Sequence, residues 1–404
     1  MRNRWGRPRV IVQRVCRGLV LTGFLLASTA QSQDWPKAEP KEVGLDATKL
    51  AAFDADLAGG SYGLVDSMLV IRCGKQAYEQ AYTHEYGKIY GNRAKTAGPL
   101  NHDPSGPYNY FSTDFHPYYQ HRDVHTMQSV SKTATSVTIG AAMLRGEFPA
   151  DVQAPILKYF SSYKIANLDD RKRRIKLIDV LTMTAGLEWH EDLAYDDPKN
   201  SADIMEGTHD WVQYVIDQPM VEEPGKKFVY SSGATQLLSH IFKQVTGRTV
   251  DEYAAEYVFK PLGMHYYWKH TPTGLPDTEG GLYLSTQDLA KIGALYLHNG
   301  EWNGKQIVPH EWVKQSLTPH VQVAEDGYQY GFQWWLAPHG KPEKLAWAGR
   351  GFGGQGLLVI PEYETIAVVT GWSILPSTEG KRYDELARVL EAVDTTYSCA
   401  APAK

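Results

Sequence analysis

The sequence predicts an α/β plus all-α fold. One antiparallel sheet is built from both ends of the chain and flanked by the terminal helices, and a helical lobe is inserted between those ends. Three observations predict this. Short runs of strand character lie near the start (66–82) and again near the end (345–371). The stretch from 126 to 250 carries helical signals. The chain has 404 residues, 43% of them hydrophobic, which is more than a single core usually serves. The economical solution is an α/β lobe from 31–125 and 251–398 and a helical lobe from 126–250, with a site between them.

The first thirty residues stand apart. Arg2, Arg4, Arg7, Arg9, Arg14 and Arg17 precede a short apolar run, Gly18 to Ala27, and Ser28-Thr29-Ala30 offers small residues for cleavage. This is the pattern of a secretory signal, too short in its apolar part to span a membrane. It predicts a secreted or periplasmic protein without a stable membrane anchor. Cys16 precedes the apolar core and is not placed for lipidation. Without the six arginines, 35 basic side chains face 46 acidic ones, a formal net charge of −11. That balance excludes a protein built for nucleic acid. Cys73 and Cys399 remain, and in an oxidising compartment they either pair or stay isolated thiols.

The elements follow in order. Gln31 to Val43 is a leader segment. Leu45-Asp46 caps a helix from Ala47 to Leu57, which Gly59-Gly60 ends. Asp66 to Arg72 and Gln76 to Tyr82 form a hairpin around Cys73-Gly74-Lys75. Residues 85–124 have no sustained period and are rich in Gly, Pro, His and Tyr. Their aromatic load argues against disorder. They form either an aromatic flap beside the site or a surface cover. Helices are predicted over Thr133–Leu144, Lys176–Met183, Asp203–Ile216, Ala234–Val245 and Val250–Tyr257, and after Gly280 over Thr286–Leu297. Strands follow at Leu345–Trp347, Gly356–Ile360 and Thr365–Gly371, and Arg382 to Ala392 is a closing helix.

The chemistry begins at Ser129-Val130-Ser131-Lys132. A serine hydroxyl needs a base within hydrogen-bond reach to become a nucleophile. On a helix, positions i and i+3 share a face, and burial would favour the neutral amine of Lys132, a base. Such a pair recurs by chance about once in a chain this long, and Ser161-Ser162-Tyr163-Lys164 also fits. Context separates them. Ser129 opens a small and apolar helix that can be buried, whereas Ser161 lies in a polar connection.

Two further segments belong with it. Tyr230-Ser231-Ser232 ends an extended piece, so Tyr230 and Ser232 project to one side. Beside a cationic lysine, a lowered tyrosine pKa would suit a proton relay. Taken alone, the tyrosine reads as a core aromatic. Gly349-Arg350-Gly351-Phe352-Gly353-Gly354-Gln355-Gly356 leads into a strand. Glycines let backbone approach a ligand closely, and such an edge can supply an N–H to an oxyanion hole. No Gly-Lys-Ser/Thr follows, so it is not a phosphate loop. The fourteen histidines show no His-Glu-x-x-His spacing, and His190-Glu191-Asp192 reads as loop polarity.

In this order the three segments resemble the serine β-lactamase and penicillin-binding-protein superfamily, most closely its class C-like branch with esterases and 6-aminohexanoate-dimer hydrolases. Leu181-Thr182-Met183-Thr184-Ala185-Gly186-Leu187, Glu223-Pro224-Gly225, Pro261-Leu262-Gly263-Met264 and Gly280 to Ala290 match as well. The resemblance implies a β-lactamase/transpeptidase-like fold. It also implies a serine hydrolase without metal or cofactor, acting on a small ester or amide. The implied roles are Ser129 as nucleophile, Lys132 as base, Tyr230 as proton relay and Phe352 as second oxyanion donor after Ser129 itself. Ser232 stands where the family usually has Asn. Gly349 stands where its β-lactamases and peptidases carry a Lys or His for the substrate carboxylate, and Arg350 could restore that cation. Trp189, Gly351 and Gln355 join Arg350 as expected substrate contacts. The alternatives are a D,D-peptidase or β-lactamase, and a non-catalytic binding protein that keeps the fold.

Overall fold

The main sheet has eight strands: β1 (Val65–Arg72), β2 (Lys75–Ala81), β3 (Val321–Gln322), β4 (Gln329–Tyr330), β5 (Trp335–His339), β6 (Lys344–Gly351), β7 (Gln355–Ile360) and β8 (Thr365–Gly371). Its order is β2-β1-β8-β7-β6-β5-β4-β3, antiparallel throughout. The join between the two ends of the chain is β1 against β8, with Met68 opposite Val369 and Val70 opposite Ala367. This computed structural model describes residues 35–323, 327–380 and 385–399. The predicted leader 1–30 and the predicted helix residues Arg382–Asp384 lie outside the described residues.

Five longer helices place the site: α1 (Ala47–Ala58), α2 (Ser131–Leu144), α3 (Ser232–Thr246), α4 (Thr286–Leu297) and α5 (Glu385–Ala392). Strand alternation sends side chains to both faces of the sheet. Met68, Val70, Leu358, Ile360, Ala367 and Val369 pack with Leu50, Phe53 and Leu57 of α1 and Val389 of α5. The two terminal helices are also joined by Arg388 and Asp56, 2.7 Å apart. Leu69, Ile71, Leu357, Val359, Ile366 and Val368 turn the other way, into a larger core that also holds residues of α2, α3 and α4. That core is continuous from the sheet into the 126–250 region.

Helix α2 is buried on nearly every side. Its small residues make this possible: a Cβ on Gly140 would come within 2.3 Å of the Trp312 ring. A buried polar knot ties it to α3. Thr133 Oγ1 donates to the Gln333 carbonyl at 3.0 Å, and Thr235 Oγ1 donates to Gln333 Oε1 at 2.7 Å. Helix α3 starts at its Ser231 cap, which accepts from the Ala234 N–H.

Some predicted elements differ. Asp203–Ile216 is two helices, Ser201–Glu206 and Trp211–Asp217. Gly207 ends the first, and the Asp210 carboxylate caps the second. Strand β6 runs well past Trp347 into the glycine-rich segment. Strands β3, β4 and β5 were not anticipated, nor was a small sheet of His125–Thr126, Leu282–Leu284 and Tyr266–Trp268. Pieces of two or three residues have no period to read, and β5 contains Pro338.

The aromatic segment 85–124 is packed, with short helical turns at Tyr86–Ile89, Arg93–Lys95 and Tyr119–His121. Tyr86, Tyr90, Leu100, Tyr110 and Phe111 form one apolar cluster with Trp372, Ile374 and Leu375. Among the described residues no helix is long and apolar enough to cross a membrane. Cys73 and Cys399 form a disulfide across 326 residues of chain. The C-terminal segment also caps buried Arg72, whose guanidinium donates to the carbonyls of Asp394 and Tyr397. Closing so long a loop should stabilise the fold by about 2–5 kcal/mol. We expect Cys399→Ser to lower the urea midpoint accordingly, with reductant lowering the wild type alone. An unchanged midpoint would show that the staple adds nothing.

Candidate active site

Ser129 lies in a 3₁₀ turn, Gln128–Val130, that runs directly into α2. The preceding Gln128 sits at φ 46°, and its side chain donates to Thr126 Oγ1 at 2.9 Å. A non-glycine residue held in the left-handed region stores strain of the kind that gathers at functional sites. One turn on, Lys132 is 1% exposed. Its Nζ donates to Ser129 Oγ at 2.8 Å, to Ser232 Oγ at 3.0 Å and to the Glu279 carbonyl at 2.8 Å. A Glu279 carboxylate oxygen lies 3.4 Å away. Three acceptors thus take the three directions available at a tetrahedral amine, which satisfies a nitrogen that burial would otherwise penalise.

Tyr230 completes the group. Its ring lies 5.2 Å from Lys132 Nζ, its phenol bonds with Ser129, and Trp335 stacks on it at 5.5 Å. The phenol is pushed well above its usual range, first by burial, then by the nearby Glu191 and Glu279 carboxylates. The expectation of a lysine-lowered tyrosine is therefore reversed, because loss of solvent outweighs one neighbouring nitrogen. Tyr230 is a neutral phenol at ordinary pH, a donor rather than a resident base.

A narrow cavity adjoins Ser129, lined by Phe352, Tyr110, Tyr195 and the carboxylates Asp203, Glu206 and Glu279. Burial and the Glu279 charge push the Glu206 carboxyl well above the usual range. Tyr110 donates to it at 2.6 Å.

The profile of the Beta-lactamase family matches residues 53–390. The chain belongs to the beta-lactamase family. It is 25% identical over 272 residues to the 6-aminohexanoate-dimer hydrolase of Paenarthrobacter ureafaciens, covering 62% of this chain and 67% of that one. The chain spans 60% and 54% of the length of other curated relatives. Solved structures with the same fold include EstCE1, a hydrolase with promiscuous acyltransferase activity, at TM-score 0.61 and 15% identity, covering 86% of this chain and 98% of that one. A D-stereospecific amidohydrolase from Streptomyces sp. aligns at TM-score 0.57 and 16% identity, covering 86% and 99%. The chain is thus a serine hydrolase of the beta-lactamase family.

Within this beta-lactamase-family site the sequence-predicted residues separate. Ser129, Lys132, Tyr230 and Ser232 come together. Phe352 borders the cavity and opens a turn in which Gly353 and Gly354 have positive φ. Gly351 lies against the turn that carries Ser129, where a Cβ would be 2.5 Å from the Met127 carbonyl. Gly349 likewise faces α2, where a Cβ would be 2.9 Å from Val130. Arg350, between them, turns to the opposite face of the sheet by strand alternation. There it lies near Phe53 and Val389, and its guanidinium donates to Tyr328 at 3.1 Å. It does not replace the missing cation. Gln355 is buried behind the turn and donates to the Phe352 and Gly371 carbonyls. Ser161 and Lys164 are both exposed on the surface.

Glu191, whose sequence context reads as loop polarity, is central instead. Its carboxylate accepts from the Ser232 N–H at 2.7 Å, Ser232 Oγ at 2.6 Å, Trp189 Nε1 at 2.7 Å and Tyr195 Oη at 2.6 Å. Trp189 therefore backs Glu191. Gly233 admits its ring, since a Cβ there would come within 2.6 Å. Glu191 fixes the Ser232 hydroxyl as a donor away from Lys132, which leaves a lone pair for the lysine. Glu279 was equally invisible in the sequence, since its key contact is a backbone carbonyl. Glu191→Ala strands four donors, and we expect a stability loss of at least about 1–3 kcal/mol in urea denaturation. Glu191→Gln, which keeps one acceptor oxygen, should lose less. Equal stability of all three proteins would contradict the four-donor arrangement.

Proposed function

We propose that this chain is a secreted hydrolase that cleaves an ester or amide through an acyl-enzyme on Ser129. The observation that carries this reading is the buried Lys132 nitrogen, 2.8 Å from Ser129 Oγ and held by Ser232 and Glu279. The first step runs from the neutral amine, whose two N–H bonds go to Ser232 Oγ and the Glu279 carbonyl and whose lone pair faces the Ser129 hydroxyl. The Ser129 proton passes to Lys132 Nζ as Oγ bonds to the substrate carbonyl carbon, whose π electrons move to oxygen. The N–H groups of Ser129 and Phe352 stabilise that oxyanion. Tyr230 gives its proton to the leaving oxygen or nitrogen and regains one from the Lys132 ammonium. A water then repeats the sequence and releases the acid. The high tyrosine pKa suits a donor in this step.

The cavity beside Ser129 supports a substrate without a free carboxylate near the scissile bond. Its lining contains three acidic side chains and neither Lys nor Arg, so a substrate carboxylate would find no cationic partner there and would face the Asp203 and Glu279 carboxylates in a poorly solvated place. Gly349 offers no cation, and Arg350 points away. This argues against a β-lactam or a peptide C-terminus. The relative named for a 6-aminohexanoate dimer and the hydrolase and amidohydrolase neighbours fit the same range. Secretion is supported by the basic and apolar leader and by the Cys73–Cys399 disulfide.

A fluorophosphonate probe should label Ser129, identified by peptide mass spectrometry, and Ser129→Ala should take no label. Lys132→Ala should slow labelling by about 100-fold or more near neutral pH. Labelling that survives at another residue in Ser129→Ala would overturn the assignment.

A further inference from the structure

Among the lysines buried outside the catalytic group, one stands beside the aromatic segment. Lys269 is 2% exposed and follows the short strand Tyr266–Trp268. Its Nζ donates to the Pro107 carbonyl and to His116 Nε2, the latter at 2.7 Å. Three tyrosine rings surround it: Tyr108 at 5.2 Å, Tyr110 at 5.9 Å and Tyr283 at 5.2 Å. Four of these five partners belong to the 85–124 segment. A desolvated cation among aromatic faces is worth more than an exposed one, so one nitrogen gathers that segment onto the body of the protein.

The histidine makes the contact directional. Burial and the Lys269 charge push His116 well below its usual range, so it is neutral and accepts at Nε2. Its Nδ1 lies 3.2 Å from Tyr283 Oη, which donates to the Phe115 carbonyl at 2.7 Å. The imidazole stacks nearly parallel on Tyr110 at 4.7 Å and on Trp372 at 4.8 Å, and those two rings stack on each other at 6.0 Å. Tyr110 is the residue that walls the Ser129 cavity and bonds to Glu206. Burial pulls the Lys269 amine down to about 7, against the opposing pull of Asp277 and Glu206. Near neutral pH it can therefore still supply positive charge beside these buried acids.

We infer that Lys269 is a positioning residue that latches the 85–124 flap through His116 and the tyrosine cage, and so fixes Tyr110 as the wall that sets which acyl groups fit beside Ser129. The inference rests on the hydrolase reading only through its assay. The Glu279 segment of the Lys132 tripod is held by Asp277 Oδ1, which accepts from the Glu279 and Gly280 N–H groups, and by backbone bonds from Lys269 to Gly281 and from Asp277 to Lys269, all of which a change of the Lys269 side chain leaves in place.

The test compares wild type, Lys269→Met and His116→Phe. Lys269→Met keeps the stem and removes the charge. His116→Phe keeps the ring stack and removes the acceptor nitrogen, and it decides the matter if Lys269→Met does not fold. Hydrolysis of p-nitrophenyl acetate and p-nitrophenyl octanoate gives a chain-length selectivity ratio in kcat/KM. Labelling of Ser129 by a small methyl fluorophosphonate monitors the catalytic group. We expect the ratio to move by roughly tenfold or more, with labelling within about threefold of wild type. Amide exchange should accelerate in peptides spanning 100–118. An unchanged ratio with unchanged exchange overturns the inference. So does a parallel fall of both esters and of labelling, which marks a merely structural residue. Absence of labelling in the wild type itself refutes the proposed hydrolase instead.

Discussion

A lysine nitrogen taken out of water must find acceptors inside the protein, and the arrangement around Lys132 organises much of this molecule. The three acceptors come from places far apart in the chain: Ser129 one turn before it, Ser232 at the start of α3, and the Glu279 carbonyl in the loop before Leu282. Each must be carried to within 3.0 Å. The Gln333 knot holds α2 against α3, and the Glu191 carboxylate fixes Ser232. The sheet supplies the rest, since Gly349 and Gly351 let β6 approach the turn that bears the nucleophile.

The site is a balance of buried charges rather than a single ion pair. Glu191, Glu279, Glu206, Asp203 and Asp277 lie in or next to the cavity and its supports, and Lys132 and Lys269 are the amines that stand among them. Removing either partner of such a set leaves an uncompensated charge or donor. Burial first, and the neighbouring carboxylates second, hold the surrounding phenols far above their ordinary range, Tyr230, Tyr195 and Tyr110 alike. The close packing of the aromatic flap keeps the dielectric low, which is what gives the balance its strength.

Much of the fold was legible from local pattern. The β1–β2 hairpin, α1, α3, α4 and the β7–β8 strands each follow a clear period bounded by turn residues. What escaped were pieces without a period: β3, β4, the small sheet, and the break at Gly207. Part of the site was legible too. Ser129 and Lys132 share a helical face by arithmetic, and Tyr230 and Ser232 were expected together, although Ser232 opens α3 rather than continuing an extended piece. Glu191 and Glu279 were not legible, because a carboxylate in a loop has no spacing that distinguishes solvated polarity from a four-donor hub. Arg350 misled for a related reason. Strand parity fixes its direction, but only once β6 is known to extend through Gly351.

By itself the sequence determined the kind of chemistry: a serine and a lysine one helical turn apart in a buried segment, a tyrosine and a serine two residues apart before a helix, and a glycine-rich strand to approach them. Those are short-range relations, set by helix and strand geometry. The tertiary structure decided the rest, because it concerns groups distant in the chain. It decided that Cys73 meets Cys399, that Arg350 leaves the cavity, that Tyr230 stays protonated, and that Lys269 holds the flap whose Tyr110 closes the cavity. Desolvation and long-range contact exist only in the folded chain, so their consequences could be read only there.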